Sequence, residues 1–346
     1  MPATIQAIAK EAALRKDYVS EKIETIYFGG GTPSLLTTND LMFIIQKIKA
    51  LFIVDEEAEI TLEANPDDIH AEKLIVWKQA GINRLSIGIQ SFAAADLQWM
   101  NRAHNSEQAL NCVQLAMAHG FNNITIDLIY GGPTLSYEQW QKNVQTALML
   151  NVPHLSCYAL TVEPKTALAT MIHQQKKETI DADKQARHFE LLMQWMGTAG
   201  YEHYEISNFA KPGYRSKHNS SYWKGRHYLG LGPSAHSFNG VSREWNIANN
   251  ALYINSINQN ILPAEIETLT PLQQLNEYIM TSLRTIEGLS FHHTKTYWGE
   301  EKTATIIKGA AKWIQSNNLI LENDFLRLTK QGKLLADGIA SDLFQL

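Results

Sequence analysis

The chain has 346 residues, 45% of them hydrophobic, which is enough for a sizeable core and for two domains. Its 30 Lys and Arg stand against 35 Asp and Glu, and the net charge of -5 argues against a general nucleic-acid binder. No apolar run approaches the roughly 20 residues that span a bilayer, and Met1 to Tyr18 lacks a signal peptide's apolar core. A cytoplasmic protein is therefore expected.

Taken in order, the chain opens on an amphipathic helix with Ile5, Ile8, Ala12 and Val19 near one face. Thr25-Ile26-Tyr27-Phe28 follows, β-branched and aromatic without polar alternation. That composition predicts a strand buried on both faces. Gly29-Gly30-Gly31-Thr32-Pro33 ends it. Glycine reaches φ > 0 at low cost and lets a ligand approach the backbone. Pro33 delays any helix. Leu41, Ile44, Ile45, Ile48 and Leu51 then carry helical spacing.

The second strand is Ala58 to Ala64, closed by Asn65-Pro66. A helix from Ala71 to Ala80 ends at Gly81, a natural residue just past a helix end. Arg84 to Ser91 is the third strand. Asn105 and Gln108 form a predicted capping box for the helix that ends at Gly120. Ile124 to Ile129 is the fourth strand, ended by Gly131-Gly132-Pro133. A helix from Tyr137 to Leu150 leads to the fifth strand, His154 to Leu160. Strands alternating with helices predict a parallel sheet, in a β/α barrel or a doubly wound arrangement. The expected leading strand is absent, because the chain starts on a helix.

Beyond Leu160 the rhythm changes. Lys176 to Gly200 contains a helix, and Phe209 to Phe238 is irregular and rich in Gly, Tyr and His. A helix follows Pro271 and another runs from Glu301 to Asn317. Leu319-Ile320-Leu321 and Phe325 to Leu328 flank Asn323-Asp324 as a hairpin. A last helix covers Lys330 to Phe344. Helices with a small hairpin predict a winged-helix-like end, used for packing.

In parallel α/β folds ligands bind at the carboxyl ends of the strands. Gly29 to Thr32, Glu63, Gln90 and Asp127 all stand at such ends, and Arg102 follows the third strand. Two carboxylates, an amide, a guanidinium and backbone amides suit a zwitterionic ligand bearing hydroxyls. Each residue taken singly has an ordinary structural explanation, as a cap, a loop anchor or a surface charge. A barrel enzyme using Glu63 and Asp127 for acid–base chemistry also fits, but no nucleophile–base set accompanies them.

Gly29 to Pro33, Leu62-Glu63-Ala64-Asn65-Pro66, Ser86 to Phe92, Asn101-Arg102-Ala103-His104 and Ile126 to Gly131 together resemble the radical S-adenosylmethionine (SAM) family typified by oxygen-independent coproporphyrinogen III oxidase. The resemblance covers nearly the whole chain. It implies an incomplete (β/α)6 barrel over residues 1–160, a barrel extension over 161–262 and a winged-helix-like domain over 263–346. It implies SAM as cofactor, with Gly30, Gly31 and Thr32 on the methionine moiety and Glu63, Gln90, Arg102 and Asp127 on its polar groups.

His218-Asn219-Ser220-Ser221-Tyr222-Trp223 resembles the His-Asn-x-x-Tyr-Trp signature of that family's heme-chaperone (HemW) branch. The branch implies heme binding and delivery to a respiratory protein, from the cytoplasm or the periphery of the inner membrane. The alternative is the oxidase itself or another radical SAM oxidoreductase. Heme takes an imidazole ligand and aromatic walls. His218 is the candidate iron ligand, with Tyr222 and Trp223 beside it. Arg215, Lys217, Lys224 and Arg226 are candidate propionate partners, and His203, His227 and His236 are alternative imidazoles. The bland reading keeps Tyr222 and Trp223 as packing under a loop, with His218 hydrogen-bonded.

One feature departs from the resemblance. The family carries Cys-x-x-x-Cys-x-x-Cys for a [4Fe-4S] cluster, and this sequence has only Cys112 and Cys157. The family places those ligands roughly 30 residues upstream of Met1, so the chain reads either as a truncated version or as a cluster-free paralogue kept for heme or partner binding. As written, the polypeptide is expected not to cleave SAM reductively.

Overall fold

A computed structural model describes residues 2–345. The first five strands are β1 (Ile23–Phe28), β2 (Val54–Ala64), β3 (Arg84–Gln90), β4 (Ile124–Tyr130) and β5 (His154–Ala159). β2 to β5 pair in parallel, as the alternation with helices requires. A row of Ala64, Ile87, Ile126 and Leu155 crosses these four strands in register, and all four residues are buried. The next two strands, β6 (Glu202–Glu205) and β7 (Asn208–Ala210), form an antiparallel hairpin, and β7 also runs antiparallel to β5. The sheet order is β1-β2-β3-β4-β5-β7-β6. This is the expected α/β architecture, an incomplete β/α barrel.

β1 differs from expectation in its burial. Only Ile26 is buried, and the other five residues are half-buried or exposed. β1 is the end strand of the sheet, so it lacks a neighbour on one side. β2 begins at Val54, four residues before the apolar run, because Asp55, Glu56 and Glu57 also take extended backbone.

Helix boundaries follow local chemistry. The helix Ser106–Ala118 has the predicted Asn105/Gln108 capping box. The same device opens Tyr137–Met149 through Ser136 and Gln139, and Pro271–Leu283 through Thr270 and Gln273.

The chain divides into two compact units. One comprises Phe28–Leu35 and Thr61–Ser216. Its core holds Leu74, Trp77, Val113, Trp140, Val144 and Leu192. A buried polar line also threads it: Arg84 donates to the Thr125 hydroxyl, which meets His154 Nδ1 at 3.0 Å, and His154 Nε2 meets the Tyr204 hydroxyl at 2.7 Å. Burial holds His154 well below the usual imidazole range, so it is neutral.

The other unit comprises Met1–Tyr27, Leu36–Ile60 and Lys217–Leu346. The helix Ala3–Leu14 packs through Ala7 on Tyr253 and Ile257 of the helix Asn250–Asn258. Glu11 is fully buried there. It accepts from Gly232 N–H at 2.8 Å and Asn246 Nδ2 at 2.7 Å, and also from the Tyr253 hydroxyl. Arg15 lies 3.5 Å away as its counter-charge.

Two small sheets complete this unit. One orders β10 (Ala264–Thr268), β9 (Ser242–Asn246) and β8 (His236–Phe238), all antiparallel. The other sets β13 (Phe325–Leu328) between β11 (Leu289–Ser290) and β12 (Leu319–Glu322). With the helices around it, this second sheet makes the winged-helix-like end. The turn between β12 and β13 places Asn323 at φ 47° and Asp324 at φ 71°, the left-handed pair that a tight hairpin demands. An additional helix starts at Phe291 and breaks at Gly299, where φ is 88°, and the expected helix follows the break and runs to Gln315. The last helix is shorter than expected. A 3-10 turn at Gly332–Leu335 precedes Ala336–Asp342.

Candidate functional site

The glycine turn after β1 is a left-handed run. Gly30, Gly31 and Thr32 have φ of 70°, 62° and 62°. Two of the three positions are glycine, which holds this conformation without strain. A side chain built at Gly30 or Gly31 would meet nothing within 4 Å, so conformation and not crowding selects glycine there. Gly30 N–H donates to Glu63 Oε2 at 3.1 Å, tying the turn to the carboxyl end of β2. The following 3-10 turn is held as well: Ser34 Oγ donates to Asp68 at 2.7 Å, and Lys73 Nζ donates to Ser34 O at 3.1 Å.

Gln90 ends β3 with φ 63°, after a shift in its pairing with β4. Its side chain gathers with Arg102 and Asn65 over Gly88. A Cβ at Gly88 would lie 2.9 Å from Gln90 Nε2 and 3.4 Å from an Arg102 terminal nitrogen. Arg102 donates to Asn65 Oδ1 at 2.9 Å and to Gly88 O at 3.2 Å. Its Nε is buried and finds no hydrogen-bond acceptor among the described residues. Such a donor is costly unless something accepts from it. Nearby, His104 Nε2 meets Ile89 O at 3.0 Å, and burial keeps its pKa low.

Asp127 on β4 completes the group. Desolvation pushes its carboxyl up to about 7, and the negative charge of Glu63 adds to the rise. A hydrogen bond from Ser156 and the charges of Arg84 and Arg102 oppose it. Glu63, Arg102 and Asp127 therefore share one electrostatic neighbourhood. All seven residues singled out for a zwitterionic ligand belong to this unit. Asn65 and Gly88 were legible only as parts of longer motifs, since nothing local marks them as partners of Arg102.

The second group lies in the other unit, on the helix Lys217–Trp223. The buried Glu59 carboxylate on β2 accepts the Lys217 and His218 N–H groups at 3.2 and 3.0 Å and so caps that helix. His218 Nδ1 meets the Thr25 hydroxyl at 3.0 Å, and Nε2 meets the Tyr222 hydroxyl at 3.2 Å. The imidazole stacks on Tyr27 with centroids 4.5 Å apart and 15° between planes. Tyr222 stands edge-on to it at 5.1 Å and also packs on Tyr228 at 4.8 Å.

Trp223 is not in this stack. It is five residues from His218, which on a helix is a turn of about 140°. Its ring lies under the Arg284 guanidinium at 5.4 Å. Of the alternative imidazoles, His203 stacks on Phe209 at 4.1 Å, within the first unit. His227 pairs with Glu21 at 2.9 Å, and His236 is exposed on β8. Among the candidate propionate partners, Arg215 is engaged with Glu202 at 2.9 Å, whereas Lys224 and Arg226 are exposed. Thr25, Tyr27 and Glu59 were not anticipated as partners of His218. The signal for the first two is their i, i+2 spacing on one strand face.

Cys112 and Cys157 are both buried, and burial raises both thiols, Cys112 to about 12. Among the described residues no group of three or more His, Cys, Asp or Glu is arranged to hold a metal ion. None of their helices is long and apolar enough to cross a membrane.

Residues 3–147 match the Radical SAM superfamily. The chain is 33% identical over 320 residues to the heme chaperone HemW of Bacillus subtilis (strain 168), covering 92% of this chain and 84% of that protein. It is 33% identical over 322 residues to the heme chaperone HemW of Mycobacterium tuberculosis (strain ATCC 25618 / H37Rv), covering 93% and 80%. In fold it is similar to coproporphyrinogen III oxidase (HemN) from Escherichia coli, a radical SAM enzyme, with a TM-score of 0.84 at 21% identity over 99% of this chain and 82% of that one.

Proposed function

The chain belongs to the HemW heme-chaperone family of the radical SAM superfamily, and on that premise we propose that it binds heme through His218 and passes it to an acceptor protein. The observation that carries this reading is the imidazole of His218, held between Thr25 and Tyr222 and stacked on Tyr27. An oriented imidazole with aromatic neighbours fits heme iron and the porphyrin face. The exposed Lys224 and Arg226 can meet propionates. Trp223 is a wall residue only if the heme extends toward Arg284.

The same reading gives the first unit a SAM site. SAM, when bound, brings a carboxylate, an ammonium and ribose hydroxyls. The buried Arg102 Nε is a donor suited to the carboxylate. Glu63 and Asp127 suit the ammonium and hydroxyls, Gln90 adds an amide, and Gly30, Gly31 and Thr32 offer backbone to the methionine moiety. The residues present do not fit a [4Fe-4S] cluster. Two buried, protonated thiols in 346 residues are not a cluster ligand set. The His-Asn-x-x-Tyr-Trp segment at 218–223 favours the chaperone reading over a porphyrinogen oxidase or another radical SAM oxidoreductase. The acceptor is taken to be a respiratory protein at the inner membrane, approached from the cytoplasm.

Hemin titration followed by absorbance tests the reading. The wild-type chain should bind one hemin, and His218→Ala should bind at least about 10-fold more weakly, as loss of a metal ligand implies. Equal affinity in the variant would place the ligand elsewhere.

A further inference from the structure

We propose that Thr25 fixes the His218 ring so that Nε2 is the iron-binding nitrogen, and that the Tyr222 hydroxyl occupies that nitrogen until heme displaces it. The inference rests on the heme-binding reading of His218 and assigns two further residues to that site.

Both ring nitrogens face hydroxyls, and a hydroxyl both donates and accepts, so neither contact alone decides the tautomer. Burial and backing distinguish the two sides. The Nδ1–Thr25 contact is part-buried, and Thr25 comes from β1, whose next same-face residue, Tyr27, stacks on the imidazole. The ring is thus held at one edge and one face by a single strand. The Nε2–Tyr222 contact is on the exposed side, and Tyr222 is 42% exposed. That edge is the more accessible of the two.

A metal-binding imidazole gives its other N–H to a hydrogen-bond acceptor, which fixes the tautomer and raises ligand basicity. Thr25 Oγ1 is that acceptor for Nδ1–H. Nε2 then carries the lone pair, and the Tyr222 hydroxyl donates to it. A tyrosine hydroxyl carries one proton that it can donate to that lone pair. Loading exchanges one O–H···N bond for one dative N–Fe bond. The phenol retains its proton and turns to solvent, and no electron changes hands. The Glu59 cap anchors the helix through backbone amides, so the tyrosine can swing while His218 stays in place.

The substitutions Tyr222→Phe and Thr25→Val test this in the full chain, with hemin as probe. Tyr222→Phe keeps the ring packing and removes the competing donor. It should tighten hemin binding about 2- to 10-fold, the range of one net hydrogen bond. Thr25→Val keeps the shape and removes the acceptor. It should weaken binding about 10-fold. The heme-free tautomer is read separately by long-range proton–nitrogen NMR. The wild type should show the proton on Nδ1, and Thr25→Val should shift it toward Nε2. Unchanged or weaker binding in Tyr222→Phe overturns the displacement. A wild type already protonated on Nε2, or Thr25→Val binding like the wild type, overturns the positioning. If His218→Ala binds hemin like the wild type while the tautomer behaves as stated, the heme-binding reading itself fails, and this assignment of Nε2 to iron fails with it.

Discussion

Thr25 and His218 are 193 positions apart in the chain, yet Oγ1 of one meets Nδ1 of the other at 3.0 Å. The contact exists because two extended segments, β1 and β2, meet one short helix. β1 supplies the hydroxyl and the stacked Tyr27, and β2 supplies the Glu59 carboxylate that starts the helix.

Glu59 should therefore be worth more than a surface carboxylate. It is buried and accepts two N–H groups at the start of a seven-residue helix. Glu59→Ala should cost about 2 kcal/mol, the upper range for losing a helix cap. Chemical denaturation measures the loss. Amide exchange at residues 217 and 218 should accelerate with it, and unaltered exchange would show that the cap is idle.

Gly88 and Gly30 should respond differently to alanine. At Gly30 there is open space and φ is 70°, so the cost is backbone strain of about 1–2 kcal/mol. At Gly88 the new methyl meets Gln90 and Arg102 directly. Gly88→Ala should displace the guanidinium and abolish SAM binding in calorimetric titration, with little loss of melting temperature. If Gly30→Ala is the more damaging to SAM binding, the placement of Arg102 is not what matters.

Asp127 predicts a pH dependence. Its folded pKa is raised to about 7 from the ordinary carboxyl value of 3.8. Between those values the folded state holds a proton that the unfolded state releases. The group's contribution to stability therefore falls as pH rises through this window, and the penalty is complete above about 7. Asp127→Asn should be more stable than the wild type at pH 8, and this relative gain should shrink steadily toward pH 4. Thermal melts of both proteins from pH 4 to 8 measure the difference. A pH-independent difference would mean that lost packing, not titration, separates them.

Glu11 offers the largest stability effect. It is fully buried and accepts from a backbone amide, Asn246 and Tyr253, with Arg15 beside it. Glu11→Ala leaves these donors without their acceptor and removes one of the two carboxylates beside the buried Arg15, Glu244 being the other. A loss of about 3–5 kcal/mol is expected in urea denaturation. Glu11→Gln should recover part of it, because the amide oxygen still accepts.

Much of the fold was legible in the chain. The runs at residues 58–64, 84–90, 124–129 and 154–159 are apolar and bounded by Gly, Pro or Asn, and each became a strand. Asn105 with Gln108, and Asn323 with Asp324, carry their own local hydrogen bonding or left-handed backbone, so cap and turn were readable. The hairpin of β6 and β7 was not readable. Its strands are four and three residues long, too short to show a period. The helix at Phe291 was missed because its first turn, His292 and His293 included, has no apolar spacing and Gly299 interrupts it. Glu11 was invisible in a helix judged by its apolar face, since its partners come from residues 232–253.

The sequence by itself determined what is local: strand and helix order, caps, the glycine turn, the polar residues at strand ends, the His-Asn-x-x-Tyr-Trp segment and the scarcity of cysteine. Periodicity, backbone preference and side-chain chemistry act over a few residues, and a reader of the chain can sum them. Only the tertiary structure decided which distant groups meet. It set Arg102 over Gly88 with one nitrogen unsatisfied, and it raised the Asp127 carboxyl by burying it near Glu63. It separated Trp223 from His218 and held the imidazole against Thr25 and Tyr27. Desolvation and hydrogen-bond geometry depend on neighbours in space, which no window along the chain contains.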